Sequence, residues 1–219
     1  MNHILKIVAA AAIAGAASGA SAVTLVNGSF EAGSLSAPFE TATAGSSAIT
    51  GWTVGGFGVD YVGSYWMASD GVRSVDLSGL NAGSVSQAFA TTIGSNYTVT
   101  FDLSGNPDGG VGTRTAIVSI DGSLPSIKSY VVAPSNSRES MNWQTYSYDF
   151  TAFTTTSRLV FASADYTPFG PALDNVSVID NGGGAGSTVP EPATWAMLMI
   201  GFGMVGMTVR SRRTAVVAA

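Results

Sequence analysis

The alternation of apolar and polar side chains in NYTVTFDLSG, residues 96–105, restricts the fold more than any other feature of this chain. Every second residue from Tyr97 to Leu103 is large and apolar, and the residues between them are mostly small and polar. A period of two places one set of side chains in a core and the other in solvent, as in a half-buried β-strand.

Other short segments rich in β-branched and aromatic residues occur along the chain, at residues 49–54, 59–62, 73–77, 84–90, 115–120, 146–150, 157–163 and 173–179. Gly, Asn, Ser and Pro separate these segments, and no sustained helical period of 3.6 occurs before residue 193. Many short strands with one apolar face predict an all-β domain folded as a β-sandwich, at residues 23–180.

The first 22 residues differ from this pattern. Lys6 lies in a short polar head, an Ala-rich apolar stretch follows, and the segment ends in Ala20-Ser21-Ala22. This layout predicts a secretory signal peptide, residues 1–22, which signal peptidase cuts after Ala22. The alternative is a transmembrane helix, which the shortness of the apolar stretch disfavours.

The end of the chain contains a second apolar segment. Residues 193–209 carry no charge and as a helix would span about 25 Å, enough for a thin membrane. The arginines in 210–213 predict a cytoplasmic tail, residues 214–219, with the domain outside the inner membrane. A Gly-rich linker, NGGGAGST at 181–188, separates this segment from the domain. The alternative is a helix buried in the domain.

The composition excludes several kinds of chemistry. The chain has no cysteine, and its one histidine, His3, lies in the predicted signal peptide. The exported protein would therefore have no thiol or imidazole for Ser-His-Asp or Cys-His catalysis, or for ordinary zinc and copper sites. Basic residues are sparse between 23 and 180 and form no stripe, so nucleic-acid binding is not expected.

The segment VPEPATWAMLMIGFGMVGMTVRSRR, residues 189–213, resembles the PEP-CTERM sorting signal. The matching features are Pro190-Glu191-Pro192, the pair Trp195-Ala196, the Gly-rich apolar run and the arginine cluster. The resemblance implies recognition by an exosortase, transient anchoring in the inner membrane, and delivery to the envelope or exopolysaccharide matrix of a Gram-negative bacterium.

Short sequence segments spread over the domain resemble those of a second family, choice-of-anchor C, which is related to a plant cell-wall family. These segments are LVNGSFEAG at 25–33, ITGW at 49–52, YTVTFDLSGNP at 97–107 and GPALDNVSV at 170–178. The resemblance implies a galactose-binding-like jelly roll, a fold shared by many carbohydrate-binding modules.

The same resemblance implies a structural calcium ion shared by Glu31 and Asp174. Calcium prefers six to eight oxygen ligands, which two carboxylates and backbone carbonyls can supply. The alternative is that both carboxylates accept hydrogen bonds from backbone N–H groups at turns.

The predicted ligand-binding residues lie in or near GSYWMASDG, residues 63–71. Tyr65 and Trp66 would stack on a sugar, with Asp70 and Arg73 close behind in the sequence. Gln87 lies on the apolar face of its strand, so it either lines a binding face or hydrogen-bonds a neighbouring backbone. Trp52 and Trp143 are expected in the core.

These features leave three hypotheses for the function. The first is a non-catalytic exported protein that binds extracellular polysaccharide. The second is a structural envelope or biofilm-matrix protein without a specific ligand. The third is a polysaccharide hydrolase, which needs two carboxylates across one cleft. We expect no enzymatic activity and, apart from calcium, no cofactor.

Overall fold

In this computed structural model, residues 20–183 and 197–202 are described. Residues 20–183 contain twelve strands and one short 3₁₀ helix, Pro107–Gly109. The strands are β1 (Ser21–Val23), β2 (Phe39–Ala42), β3 (Thr53–Gly56), β4 (Val59–Val62), β5 (Ser74–Asp76), β6 (Gly83–Ala90), β7 (Asn96–Gly105), β8 (Gly112–Ile120), β9 (Ser126–Val132), β10 (Gln144–Thr151), β11 (Thr156–Ser163) and β12 (Pro171–Gly182).

The strands form two antiparallel sheets. The seven-stranded sheet has the order β10-β7-β12-β5-β4-β2, with β1 also paired to β12, and the five-stranded sheet has the order β3-β6-β11-β8-β9. The chain passes back and forth between the sheets, so that most strands have no sequence neighbour beside them. The predicted all-β jelly-roll sandwich is confirmed.

The core lies between the sheets and consists of the residues that alternation predicted. Tyr97, Val99, Phe101 and Leu103 are all buried on the inner face of β7. The ring of Phe161, on β11, packs edge-on against Phe101 at 4.8 Å between centroids. All residues of this main core fall between positions 30 and 178, so the domain has a core of its own.

The segments that open and close the domain, residues 25–33 and 170–178, are in backbone contact. The Val176 N–H donates to the Gly28 carbonyl at 2.9 Å, and a Cβ built at Gly28 would lie 2.1 Å from the Val176 carbonyl oxygen. Only glycine permits this approach. Asn175, beside it, has a φ of +51° at a bulge of β12.

A second, smaller apolar cluster covers the outer face of the seven-stranded sheet. Val62, Trp66, Met141 and Ala172 form it, with Trp143 packed against them. Val62 points away from the core because its neighbour Tyr61 points into it. Trp143 was expected in the core; it is instead half-buried here, with its Nε1 donating to the Met67 carbonyl at 3.0 Å. Two segments, 63–73 and 133–143, thereby cover this face.

The predicted domain boundaries fall close to strand ends. Ser21 and Ala22 pair with Asp180 and Ile179, so the predicted signal cleavage site lies within β1. At the other end β12 continues to Gly182, two residues into the predicted linker. Residues 1–19, 184–196 and 203–219 lie outside the described residues, and with them the sorting motif and most of the predicted helix 193–209.

Residues 197–202 are helical and belong to a separate structural unit. In the described parts of the chain, no helix has the length and apolar content that crossing a membrane requires.

Replacing a core ring should destabilise the domain strongly. Phe161 is fully buried, so Phe161→Ala removes its burial and leaves a cavity between Phe101 and Trp52, at a cost of about 3–5 kcal/mol. Urea denaturation measures this loss. The matched control is Ile127→Ala, at a side chain that is 69% exposed, where we expect a change within about 0.5 kcal/mol. Similar losses in both variants would contradict the assignment of this core.

Candidate functional site

Two adjoining clefts open on the outer side of the seven-stranded sheet. The larger cleft, of about 700 Å³, lies between residues 35–38, residues 63–73 and residues 138–139. The smaller cleft, of about 280 Å³, is lined by Phe39, Asp60, Leu80, Asp108 and Phe169, among others. Tyr65 and Trp66 line both clefts and therefore form a shared wall.

A network of three side chains holds this wall. The Tyr65 hydroxyl donates to Asp108 Oδ2 at 2.7 Å, and Arg138 donates to both carboxylate oxygens of Asp108 at 2.8 and 3.1 Å. The guanidinium also lies over the Tyr65 ring, 4.0 Å from its centroid. Burial acts to raise the pKa of Asp108, but the hydrogen bonds from Arg138 and Tyr65 outweigh it and the pKa is lowered. Asp108 is therefore an ionised brace between three loops.

The structure corrects the role predicted for the aromatic pair. Trp66 is only 5% exposed, and its Nε1 donates to Ser74 Oγ at 2.7 Å, so the indole has no free face for a sugar. Arg138 covers a face of the Tyr65 ring, and the Phe39 ring lies 4.7 Å from it between centroids. Both rings line the two clefts, where they support the shared wall instead of offering a stacking platform.

The other three predicted ligand residues have different positions. Arg73 lines the larger cleft, but its guanidinium donates to the Gly33 carbonyl at 3.0 Å and to the Tyr61 hydroxyl at 2.8 Å. Asp70 is exposed on the neighbouring loop and lines neither cleft. Gln87 is buried, and its amide group bonds the Val26 N–H and carbonyl at 2.7 and 2.8 Å, which is the second of the two alternatives that the sequence left open.

Glu31 and Asp174, the predicted calcium ligands, meet at one loop. Asp174 Oδ2 accepts the N–H groups of Ser69 and Asp70 at 2.7 and 2.9 Å. Glu31 Oε1 accepts those of Val72 and Arg73, both at 2.8 Å. The two carboxylates thus fasten both ends of residues 69–73, as the alternative interpretation of the sequence expected.

Asp174 is fully buried, and this changes its protonation. Burial raises its pKa to about 7, although the backbone N–H groups of Asp70, Asn175 and Ser69 oppose the shift. Within the described residues no cationic side chain bonds to it, and no three acidic or histidine side chains there are grouped closely enough to hold a metal by themselves.

Asp76, which is fully buried like Asp174, lies behind the smaller cleft. Its Oδ1 accepts the N–H groups of Ser78 and Gly170 at 2.9 and 3.1 Å, and its Oδ2 accepts Asn106 Nδ2 at 2.8 Å. Asn106 in turn caps the 3₁₀ turn that carries Asp108. The segment GNPDGGVGTR, residues 105–114, is therefore anchored at both Asn106 and Asp108.

The smaller cleft was not predicted from the sequence. Its apolar side chains Phe39, Leu80 and Phe169 are 39%, 69% and 38% exposed, and Asp60 lies among them on β4. These residues come from separate loops and strands, so no local pattern brings them together. The one available signal was an acidic residue within the apolar strand segment VDYV.

Comparison with known proteins identifies the domain. A family model described as "Protein of unknown function (DUF642)" matches residues 23–179. The chain belongs to the DUF642 family. The sequence segments that resemble choice-of-anchor C lie within this DUF642 domain. Its structural neighbours are carbohydrate-binding modules.

The sorting signal at the end of the chain is confirmed. The PEP-CTERM protein-sorting motif matches residues 188–213. This motif indicates an exported protein that passes through a membrane, and it implies processing by an exosortase.

The DUF642 chain also resembles individual proteins. Halomucin of Haloquadratum walsbyi is 31% identical over 189 residues, covering 81% of this chain, but the match spans only 2% of halomucin. The carbohydrate-binding module TmCBM61, solved with β-1,4-galactotriose, has a TM-score of 0.45 at 17% identity, over 73% of this chain and 99% of that module. A family 35 carbohydrate-binding module from Clostridium thermocellum has a TM-score of 0.43 at 12% identity, over 65% and 98%.

The buried carboxylate Asp76 predicts a pH dependence of stability. Burial raises its pKa to about 8, despite the hydrogen bonds from Asn106, Ser78 and Gly170. The folded state then holds a proton that the unfolded chain releases near its ordinary pKa of about 4. This contribution to stability is present at acidic pH and is lost progressively as the pH rises to about 8.

We therefore expect the melting temperature to fall between pH 5 and pH 8, and Asp76→Asn to flatten this slope because an amide does not titrate. The matched control is Asp121→Asn, at an exposed aspartate, which should keep the slope. An unchanged slope in Asp76→Asn would contradict the assignment to Asp76.

Proposed function

We propose that the DUF642 domain binds carbohydrate without catalysis, through the two adjoining clefts, and that the exported protein associates with extracellular polysaccharide. Ligand clefts in proteins are concave and largely apolar, with a few polar groups that fix orientation. Both clefts fit this description.

The observation that carries the proposal is the composition of the smaller cleft. Phe39 and Phe169 are partly exposed and line the same cleft as the carboxylate of Asp60, a combination of aromatic and acidic groups that suits a sugar. The C–H face of a pyranose packs on an aromatic ring, and its hydroxyls donate to a carboxylate.

The shared wall favours binding because it is already fixed. Tyr65, Asp108 and Arg138 are held by mutual hydrogen bonds, so little conformational entropy remains to be lost when a ligand binds. The same bonds argue against hydrolysis, because Asp108 is committed to Arg138 and is not free to act as an acid or a nucleophile.

A structural role without a specific ligand is favoured by one other surface. The outer face of the five-stranded sheet carries mainly small residues, including the paired row Thr53, Ser86, Val160 and Ser119, and its strands present no aromatic ring there. Its small side chains offer few groups to orient a sugar, and the guanidinium of Arg158 on this face donates to Ser86 Oγ at 3.1 Å. This surface supports a matrix protein that packs against other molecules by shape alone.

Binding of residues 20–183 to insoluble polysaccharides and to a glycan array tests the proposal. We expect binding that Phe39→Ala and Phe169→Ala each weaken by roughly fivefold to thirtyfold, corresponding to about 1–2 kcal/mol of lost stacking and burial. The matched control is Phe153→Ala, at a ring that is 64% exposed and lines neither cleft. If no polysaccharide binds, or if the control loses as much affinity, the structural role is the better account.

The sorting motif supports a proposal for location. We infer transient anchoring in the inner membrane with the C-terminus in the cytoplasm, exosortase action near Pro190-Glu191-Pro192, and a final position in the cell envelope or matrix. The positive-inside rule supports the orientation, because arginines follow the apolar run at once.

We also propose that a calcium ion is held near Glu31 and Asp174. Two observations support these side chains as oxygen ligands. Asp174 is a buried carboxylate without a cationic side chain bonded to it within the described residues. Glu31 Oε2 makes no hydrogen bond within the described residues. The N–H groups already bound limit the oxygens that remain, so backbone carbonyls would have to complete the shell. The ion would neutralise a buried charge and fasten the loop 69–73.

Calcium should then raise the melting temperature relative to a chelator, and Asp174→Ala should abolish the increase. Asp149→Ala, at an exposed aspartate, is the matched control and should keep it. An identical melting curve for the unmodified domain in calcium and in chelator would overturn this proposal, and would leave the N–H groups as the partners of both carboxylates.

A further inference from the structure

The two acidic side chains of the smaller cleft differ in their partners. Asp108 is paired with Arg138, whereas Asp60 accepts a single hydrogen bond, from Thr41 Oγ1 to its Oδ1 at 2.6 Å. The second oxygen of Asp60, Oδ2, makes no hydrogen bond within the described residues. Burial raises the pKa of Asp60, with the Thr41 hydroxyl opposing the shift, so no cation stabilises its charge. Asp60 is therefore a partly desolvated carboxylate with an unused acceptor.

Among the described residues, no basic side chain lines the smaller cleft to serve that acceptor. The lining of the smaller cleft contains no lysine or arginine, and Arg138, beyond the wall, is committed to Asp108. Residues 20–183 carry 13 acidic and 5 basic side chains, a net charge of −8. An anionic sugar such as a uronate would meet repulsion from the cleft and from the whole domain.

The apolar lining and the size of the smaller cleft limit what fits beside Asp60. Phe39, Leu80 and Phe169 supply apolar contacts on the sides, and the volume of about 280 Å³ is at the low end of the range for ligand pockets, about 300–1,000 Å³. This space suits one sugar ring, with its C–H face against the apolar side chains and one polar substituent directed at Asp60.

We propose that the smaller cleft selects an amino sugar with a free ammonium group, and that Asp60 is the residue that determines this selectivity. This inference rests on the proposed carbohydrate binding and specifies its ligand class. An ammonium group supplies the charge-assisted hydrogen bonds that Asp60 Oδ2 lacks, and it relieves the cost of a carboxylate removed from water. A neutral sugar would supply only ordinary hydrogen bonds, and an N-acetylated sugar would replace the cation by a neutral amide.

Calorimetric titration of the full-length chain, in a neutral detergent without a sugar headgroup, tests the inference. The probes are a glucosamine trimer, the N-acetylglucosamine trimer of the same linkage, and a galacturonate trimer. We expect the glucosamine trimer to bind about tenfold more tightly than the N-acetylated one, since a charged hydrogen bond is worth about 1.5–3 kcal/mol. The galacturonate trimer should bind most weakly.

Asp60→Asn should reduce this preference to about twofold or less, and should leave the affinity for the N-acetylated trimer nearly unchanged. The matched control is Asp121→Asn, which removes the same charge from an exposed site outside both clefts. It separates selection by Asp60 from the general attraction of an acidic protein for cations. If Asp121→Asn lowers the preference as much as Asp60→Asn does, the inference is overturned.

Different binding results would overturn the amino-sugar selectivity and the proposed carbohydrate binding. If the unmodified chain binds the glucosamine and N-acetylglucosamine trimers equally, the selectivity is overturned while carbohydrate binding stands; this comparison does not depend on whether Asp60→Asn folds. If the chain binds none of the three trimers and no polysaccharide, the proposed function is overturned as well.

Discussion

Buried carboxylates that accept hydrogen bonds from backbone N–H groups hold the loops around the two clefts in place. Asp76 and Asp174 are fully buried on the outer face of the seven-stranded sheet, and each fastens loops that come from distant parts of the chain. Leaving such groups without partners would cost several kcal/mol each, so the loops they hold have few alternatives. The loop that Asp174 holds, residues 63–73, contributes many of the residues that line the larger cleft.

The fixing of these loops also determines which side chains of the site are buried or braced and which remain exposed. Trp66 is buried under the loops and stabilises them, and Tyr65 is braced by Asp108 and Arg138. Under the proposed function, the residues that remain for a ligand are Phe39, Phe169 and Asp60, which are partly exposed and have few hydrogen-bond partners in the fold. Rigid support around a small number of unsatisfied groups is what a binding site requires, and it needs no catalytic side chain.

Membership of the DUF642 family and the PEP-CTERM motif agree with the layout of an exported domain followed by a sorting segment. The fold was predictable because alternation of side chains is a local property: the pattern at residues 96–105 is sufficient to identify β7 and its inner face. The site was predictable only in part. The loop around Tyr65 was found because its aromatic and acidic residues are adjacent in sequence, but the direction of each ring depends on contacts with Arg138 and Ser74, far along the chain.

The sequence by itself determined the strand-forming segments, the sorting motif, and the absence of thiol and imidazole side chains from residues 23–219. Only the tertiary structure decided which polar side chains remain free. Gln87 and Asp60 both lie in strands and both could have contacted a ligand, yet Gln87 is fully occupied by the backbone of Val26 and Asp60 is not. That difference depends on which strand or loop lies opposite each residue, and pairing between distant segments is not encoded in any local pattern.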